Sequence, residues 1–121
     1  MDAGRVAQLA AQAVLDKKGI DPVILDLQGI TLIADYFVIA SGTSTVQVQA
    51  IAGRVEEVLD EAGVVLLHRE GLEAARWVLL DYGAVVVHIF LEEERRFYDL
   101  ERLWGDARRV AIGALESGSM E

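Results

Sequence analysis

The chain has 121 residues, enough for one well-packed domain and too few for two large ones, and 53% of them are hydrophobic, as in a globular protein. There is no cysteine, which excludes disulfides, thiolate metal ligands and cysteine nucleophiles. The net charge is −9, divided as −2, −4 and −3 among residues 1–42, 43–83 and 84–121, so no third of the chain is basic, which disfavours binding to nucleic-acid phosphates and leaves open only a local basic patch.

The amino terminus carries no recognisable targeting signal, and no apolar run is long enough to cross a membrane. Residues 1–5 lead directly into an amphipathic pattern, without the charged and then apolar layout of a signal peptide. Runs such as residues 77–80 and 84–87 are far shorter than the roughly 18 residues that a transmembrane helix needs. We therefore expect a soluble, cytoplasmic protein that has no membrane partner.

The first third of the chain predicts one helix and two strands. Apolar residues recur at helical spacing over residues 6–14, and the Lys-Lys-Gly of residues 17–19 suits a helix end with the glycine near a left-handed cap. A turn is predicted at residues 21–22, and a β-prone run follows at residues 23–27. Residues 36–40 are almost continuously apolar, which is typical of a strand covered on both faces.

The middle of the chain predicts a second helix and three more strands. Ser44 and Gln47 have capping-box spacing, which predicts a helix over residues 45–61, and Gly63 follows its end. The predicted strands cover residues 64–68, 76–81 and 85–90, with a loop at residues 69–75. A tight turn joins the last two strands, so we expect them to pair as a hairpin.

The last third predicts helix again, with an apolar face over residues 100–107 and a break at Gly105. Residues 117–121 are expected to fray. The order α-β-β-α-β-β-β-α predicts an α/β fold with α+β character, in which helices flank one mixed five-stranded sheet. We expect a single domain over residues 1–121, with its core at about 5–107.

A metal site is the first candidate for chemistry. His68, Glu70 and His88 offer ligand types that zinc accepts, on or near neighbouring strands. Nothing in their spacing requires a metal, and His88 has the simpler interpretation of a strand residue with satisfied hydrogen bonds. We predict no metal site.

A nucleotidyl-transfer site is the second candidate. The Ser-Gly-Thr-Ser of residues 41–44 precedes a helix, whose first N–H groups could hold a phosphate. Such chemistry also needs paired carboxylates on a strand to hold magnesium, yet no strand carries an Asp-x-Asp pair, and the Asp-Leu-Glu of residues 99–101 begins a helix. An enzyme is therefore disfavoured, no cofactor is predicted, and Ser44 is most simply a helix cap.

A binding surface is the third candidate. Strand alternation places Trp77 and Leu79 on one face of the predicted fourth strand, and Val78 and Leu80 on the other. Either both faces are buried, or one remains open with Trp77 and the turn residue Tyr82 as a protein-binding patch. Trp and Tyr dominate the energetics of protein interfaces.

Several separated motifs occur in a distinctive order and spacing. They are Asp35-Tyr36-Phe37-Val38-Ile39, Ser41-Gly42-Thr43-Ser44, Glu70-Gly71, Ala75, Trp77-Val78-Leu79-Leu80-Asp81-Tyr82-Gly83, Val86-Val87-His88-Ile89-Phe90, and the group Arg95, Arg96, Phe97, Tyr98, Leu100, Glu101, Leu103 and Trp104. Over residues 5–107 the chain resembles the ribosomal silencing factor (RsfS, Iojap-related) family. One departure is Ala84, where family members often carry an acidic residue.

The resemblance implies a translation regulator that is not an enzyme. Members of the family bind the large ribosomal subunit through its ribosomal protein fourteen, block joining of the small subunit and repress translation when nutrients are short. Their fold is similar to that of nucleotidyltransferases without the catalytic carboxylates, which agrees with the missing acidic pair. The acidity of the chain suits contact with a basic ribosomal protein and disfavours direct contact with RNA.

The partner-binding residues that we expect on this interpretation cluster around the predicted hairpin. Trp77 and Tyr82 would anchor the contact, Asp81 and Glu70 would pair with basic residues of the ribosomal protein, and Leu80 lies in the same motif. Two alternatives stay open: a nucleotide-binding enzyme that uses residues 41–44, and a scaffold that dimerises through the Trp77 strand. A dimer of the unbound protein would also be compatible with ribosome binding.

Overall fold

A computed structural model describes residues 1–113 of the chain. In that part the chain forms four helices and one six-stranded sheet, and no helix is long and apolar enough to span a membrane. In chain order the elements are α1 (Ala3–Asp16), β1 (Ile20–Asp26), β2 (Tyr36–Gly42), α2 (Thr45–Glu61), β3 (His68–Glu70), β4 (Trp77–Asp81), β5 (Val85–Leu91), α3 (Glu92–Tyr98), α4 (Leu100–Leu103) and β6 (Arg108–Val110).

The sheet has the strand order β3-β4-β5-β2-β1-β6. Its central pair, β2 and β5, is parallel, and every other neighbouring pair is antiparallel. The mixed sheet flanked by helices is therefore confirmed, whereas the predicted number of five strands is wrong. Helices α1 and α2 pack on one face, which we call the α2 face, while α3, α4 and the following turn pack on the other, the α3 face.

Each face of the sheet has its own apolar core, because successive side chains of a strand point in opposite directions. In β1, Ile24 packs on the α2 face, whereas Val23 and Leu25 pack on the α3 face. Strands β2 and β5 are buried along nearly their whole length. The prediction that residues 36–40 form a strand covered on both faces is confirmed.

The bounds of α2 were predicted correctly because its caps are encoded locally. The hydroxyl of Ser44 accepts a hydrogen bond from the backbone N–H of Gln47 at 3.1 Å. The Gln47 side chain does not close a capping box with Ser44; its oxygen accepts from the N–H of Thr43 at 2.7 Å, and its amide donates to the carbonyl of Lys18 at 3.0 Å. One side chain thus ties the start of α2 to the end of α1.

The end of α1 and the start of β1 differ from the prediction. Lys18, not Gly19, has the left-handed conformation, with φ of 58°. Gly19 is needed for space, because a Cβ there would lie 2.3 Å from a methyl carbon of Val14. The predicted turn at residues 21–22 is an irregularity inside β1, where the pairing with β2 shifts register and Asp21 has φ of 47°.

Strand β3 begins later than predicted. Its ladder with β4 runs from the pair His68–Asp81 to the pair Glu70–Leu79, whereas residues 64–67 lie outside any strand. Strand β4 ends at Asp81, so the chain before His68 has no strand beside it to pair with. A β-prone run in the sequence does not show where the strand that pairs with it ends.

The last third of the described chain departs most from the prediction. The helix breaks at Asp99, which has φ of 45°, and not at Gly105. Residues 108–110 form the sixth strand, an edge strand that pairs with β1 and that sequence analysis missed because it is short and lacks an apolar alternation. An ion pair of 2.9 Å between Arg108 and Asp26 joins the two strands. The predicted fraying of residues 117–121 falls outside the described residues.

Arg95 is the buried cation that holds α3 on the sheet. It is 9% exposed. Its guanidinium donates to the carbonyl oxygens of Ile20 and Asp21 at 3.0 and 2.8 Å, to the Ser41 hydroxyl at 3.2 Å and to the Glu101 carboxylate at 3.0 Å. These bonds join α3 and α4 to the irregular start of β1, so the paired charge fixes the position of the helices.

His88 is the buried histidine of β5 and is 4% exposed. Burial disfavours the imidazolium form, which lowers the pKa of His88 from its ordinary value of 6.5 to about 4. The side chain is therefore neutral near pH 7. Because the unfolded chain binds a proton more readily than the folded one, folding loses stability as the pH falls from about 6.5 to about 4.

We expect Arg95→Met to lower the free energy of unfolding by about 3–5 kcal/mol, because it leaves Glu101 and two carbonyl oxygens without their cationic donor. Urea denaturation measures the loss. The matched control is Arg96→Met, which removes an exposed cation from the next position and should change stability by less than about 0.5 kcal/mol. Equal effects of the two variants would contradict the role given to Arg95.

The pKa of His88 predicts a difference in pH dependence between the native chain and a His88→Asn variant. Between pH 7 and pH 4 the native chain should lose about 3 kcal/mol more of its free energy of unfolding, which corresponds to the shift of one buried histidine. The comparison cancels the titration of carboxyl groups, which both proteins share. Parallel stability curves over this range would show that His88 is not kept neutral by burial.

Candidate interaction surface

Strand β4 has one closed face and one partly open face. Val78 and Leu80 are fully buried on the α2 face. Trp77 and Leu79 lie on the α3 face, where both are only partly buried against the core. One side of the strand is therefore core, and the other side leaves Trp77 partly exposed.

The Trp77 ring is held on three sides. It stacks on Phe90 of the neighbouring strand, with ring centroids 4.9 Å apart, and it contacts the ring of Tyr98 at 4.7 Å. Its indole N–H donates to Nδ1 of His88 at 3.1 Å. Trp77 and His88 are diagonal neighbours across the β4–β5 pair, a spacing within reach of large side chains.

Two further aromatic residues extend this area. Tyr98 is 46% exposed and Phe97 is 81% exposed at the end of α3, and their rings meet edge to face at 5.1 Å. We call Trp77, Leu79, Phe97 and Tyr98 the Trp77 surface. Phe97 and Tyr98 were not predicted as site residues, although an aromatic pair in a short helix after a buried strand indicates an exposed apolar patch.

Acidic side chains lie at the margin of the Trp77 surface. Glu70 is the register partner of Leu79, which places it on the same face, and its carboxylate lies 2.7 Å from the His68 ring. A Cβ at Gly71 would lie 2.1 Å from the Trp77 carbonyl oxygen, so the glycine lets this turn approach β4. Asp81 accepts the N–H of Gly83 at 2.8 Å with one carboxylate oxygen.

Leu80 and Tyr82 are not on this surface. Leu80 is fully buried and Tyr82 is 9% exposed, both in the core of the α2 face. Burial, together with the nearby carboxylates of Glu56 and Asp60, raises the pKa of Tyr82 to about 12. The expectation that Trp77 and Tyr82 form one open patch is wrong, because the alternation of the strand carries Tyr82 to the opposite face.

Of the three candidate metal ligands, His68 and Glu70 lie 2.7 Å apart, but His88 is not brought to them. In the sheet register Leu79 lies between Glu70 and His88, and the Nδ1 of His88 is taken by Trp77. In the described part of the chain no group of three His, Cys, Asp or Glu side chains could hold a metal ion.

The candidate nucleotide-binding residues have structural partners. The Ser41 hydroxyl contacts Arg95 and the carbonyl of Ile20, and Ser44 caps α2. Glu101, from the acidic pair at the start of α4, is bound by Arg95 at 3.0 Å. These groups hold the helices on the sheet.

Comparison with known proteins gives the same family throughout. Residues 1–120 match the family model described as ribosomal silencing factor during starvation. The ribosomal silencing factor RsfS of Halalkalibacterium halodurans is 52% identical over 105 residues, which cover 87% of this chain and 90% of that protein. The chloroplastic protein Iojap of Zea mays is 30% identical over 102 residues, or 84% of this chain and 44% of that protein.

Solved structures agree with the sequence comparison. A crystal structure of a protein from Chromobacterium violaceum matches with a TM-score of 0.85 and 39% identity, covering 93% of this chain and 92% of that one. A second, from Bacillus halodurans, matches with a TM-score of 0.80 and 46% identity, covering 90% and 99%. The chain belongs to the ribosomal silencing factor family.

Proposed function

We propose that this protein binds the large ribosomal subunit through its ribosomal protein fourteen, prevents joining of the small subunit and so represses translation when nutrients are limiting. The family supports action on the ribosome. The observation behind the choice of surface is the partly exposed Trp77 side chain, whose ring is held by Phe90, Tyr98 and His88. Binding through that ribosomal protein and the block of subunit joining are what the resemblance to the family implies.

A rigid aromatic ring is a strong anchor for a protein partner. An indole buries a large area, and a ring that is already ordered loses little conformational freedom on binding. Leu79, Phe97 and Tyr98 enlarge the apolar area around it. Central aromatic anchors of this kind commonly contribute 2 kcal/mol or more, roughly thirtyfold in affinity.

Charge favours a basic protein partner over RNA. The chain carries a net charge of −9, and Glu70 and Asp81 lie beside the Trp77 surface. We propose that these two carboxylates pair with basic residues of the ribosomal protein, while the acidic chain makes little direct contact with RNA. The buried Leu80 and Tyr82 would act from beneath, by keeping β4 in register.

The proposed mechanism needs no catalytic step. A protein that binds the separated large subunit, and that cannot bind once the small subunit is docked, shifts the equilibrium toward separated subunits. The extent of the shift depends only on the affinity and the concentration of the protein. Such a factor would act in the cytoplasm, where the subunits meet.

The Trp77→Ala variant tests the anchor. We expect it to weaken cosedimentation with purified large subunits by at least about thirtyfold, because it removes the central ring of the surface. Circular dichroism and urea denaturation show whether the variant remains folded. Val46→Ala, which removes an exposed apolar side chain from α2 on the other face of the sheet, is the control and should bind normally. Wild-type cosedimentation of the Trp77→Ala protein would remove the anchor assignment.

A subunit-joining experiment tests the activity itself. Added at saturating concentration to separated subunits, the protein should lower the amount of whole ribosomes found in a sucrose gradient, and Trp77→Ala at the same concentration should not. Unchanged formation of whole ribosomes with the native protein would refute the proposed function. Size measurement over a range of concentrations reports whether unbound protein pairs through the same surface, which would compete with ribosome binding.

A further inference from the structure

We infer that His88 is a positioning residue, which fixes the orientation of the Trp77 indole by accepting its N–H and so prepares the ring for a protein partner. The inference rests on the proposed function, since it concerns the anchor of that surface. His88 itself is buried beneath the surface and would not touch the partner.

The hydrogen bond settles the protonation of the histidine ring. Trp77 has only a donor, so the Nδ1 atom that lies 3.1 Å from it must be unprotonated and the proton of the neutral ring must be on Nε2. The burial of His88, which disfavours a charged ring, is consistent with this tautomer.

A histidine at this position is energetically unfavourable in one respect, which the packing of the core does not explain. Its Nε2 atom is buried, and no described residue forms a hydrogen bond with it. An unpaired buried polar group is unfavourable, and an apolar side chain of similar size would fill the same space without that penalty. What an apolar side chain could not supply is an acceptor for the indole N–H.

The acceptor is itself held in place. His88 lies on β5, one strand of the central parallel pair, and the Phe37 ring meets its ring at 4.6 Å with an angle of 70°. The Phe90 ring lies beyond, at 6.3 Å. The core therefore fixes the position of Nδ1, and the hydrogen bond from the indole N–H to Nδ1 fixes the orientation of the Trp77 ring.

The bond should matter for binding because it limits the torsions of Trp77. Phe90 stacks on the Trp77 ring and Tyr98 contacts it at an angle of 43°, but neither contact distinguishes the two edges of the indole. The N–H···N bond does distinguish them. Loss of this preorganisation should weaken binding about three- to tenfold, since one ordered side chain must then be immobilised on binding.

Two substitutions of His88 with side chains of nearly equal shape separate the effect of the hydrogen-bond acceptor from the effect of packing. In His88→Asn the amide oxygen can occupy the place of Nδ1, whereas His88→Leu has the same branched shape without an acceptor. We expect the Asn variant to bind purified large subunits within about twofold of the native protein and the Leu variant to bind about three- to tenfold more weakly. Thermal unfolding of both variants identifies a temperature at which both are folded, and affinities are compared there.

Nuclear magnetic resonance gives a readout that packing alone would not change. The indole N–H resonance of Trp77, assigned with Trp77→Phe, should stay near its native position in His88→Asn and move toward that of an unbonded indole in His88→Leu. In the native protein the side-chain nitrogen shifts of His88 should show an unprotonated Nδ1. Protonation on Nδ1 would overturn the inference without any variant, so the test does not depend on the variants folding.

The outcomes separate this inference from the proposed function. If Trp77→Ala loses binding while His88→Leu and His88→Asn bind equally well, His88 does not position the anchor, and the proposed function stands. If both His88 variants are equally weakened, the acceptor is not what matters and the inference is again wrong. If Trp77→Ala binds normally, the anchor assignment fails, and the resonance measurements alone decide whether His88 orients the ring.

Discussion

The fold depends on the burial of both faces of the parallel pair β2 and β5. Both strands are almost entirely apolar, so each face of the sheet must be covered. The long helices α1 and α2 cover one face of this pair. The other face is covered by two short helices and a turn, which reach Phe37 and Phe90 but leave β4 partly open. The accessible surface around Trp77 follows from this unequal cover.

Arg95 and His88 connect the core to that surface in different ways. Arg95 joins α3 to the start of β1, and α3 carries the Phe97 and Tyr98 rings. His88 reaches the surface through a single hydrogen bond to Trp77. The buried charge of Arg95 is satisfied by several hydrogen bonds, whereas His88 bonds Trp77 through Nδ1 and its buried Nε2 has no partner among the described residues.

The candidate site was predictable in part. Adjacency in the sequence correctly indicated Trp77 and its acidic neighbours Glu70 and Asp81 as members of one region, and the sheet register places them on one face. Adjacency also suggested Tyr82, which the alternation of the strand carries to the opposite core. Tyr98 was missed because it reaches Trp77 only after α3 folds back over the sheet, across 21 positions of the chain.

The sequence by itself determined the elements whose signals are local: the apolar stripes of α1 and α2, the Ser44 cap and the doubly apolar β2 and β5. Its motifs also determined the family. Only the tertiary structure decided the late start of β3 and the pairing of β6 with β1. The physical reason is that helix caps and stripes are satisfied by neighbours along the chain, whereas strand ends and exposed faces depend on partners distant in sequence.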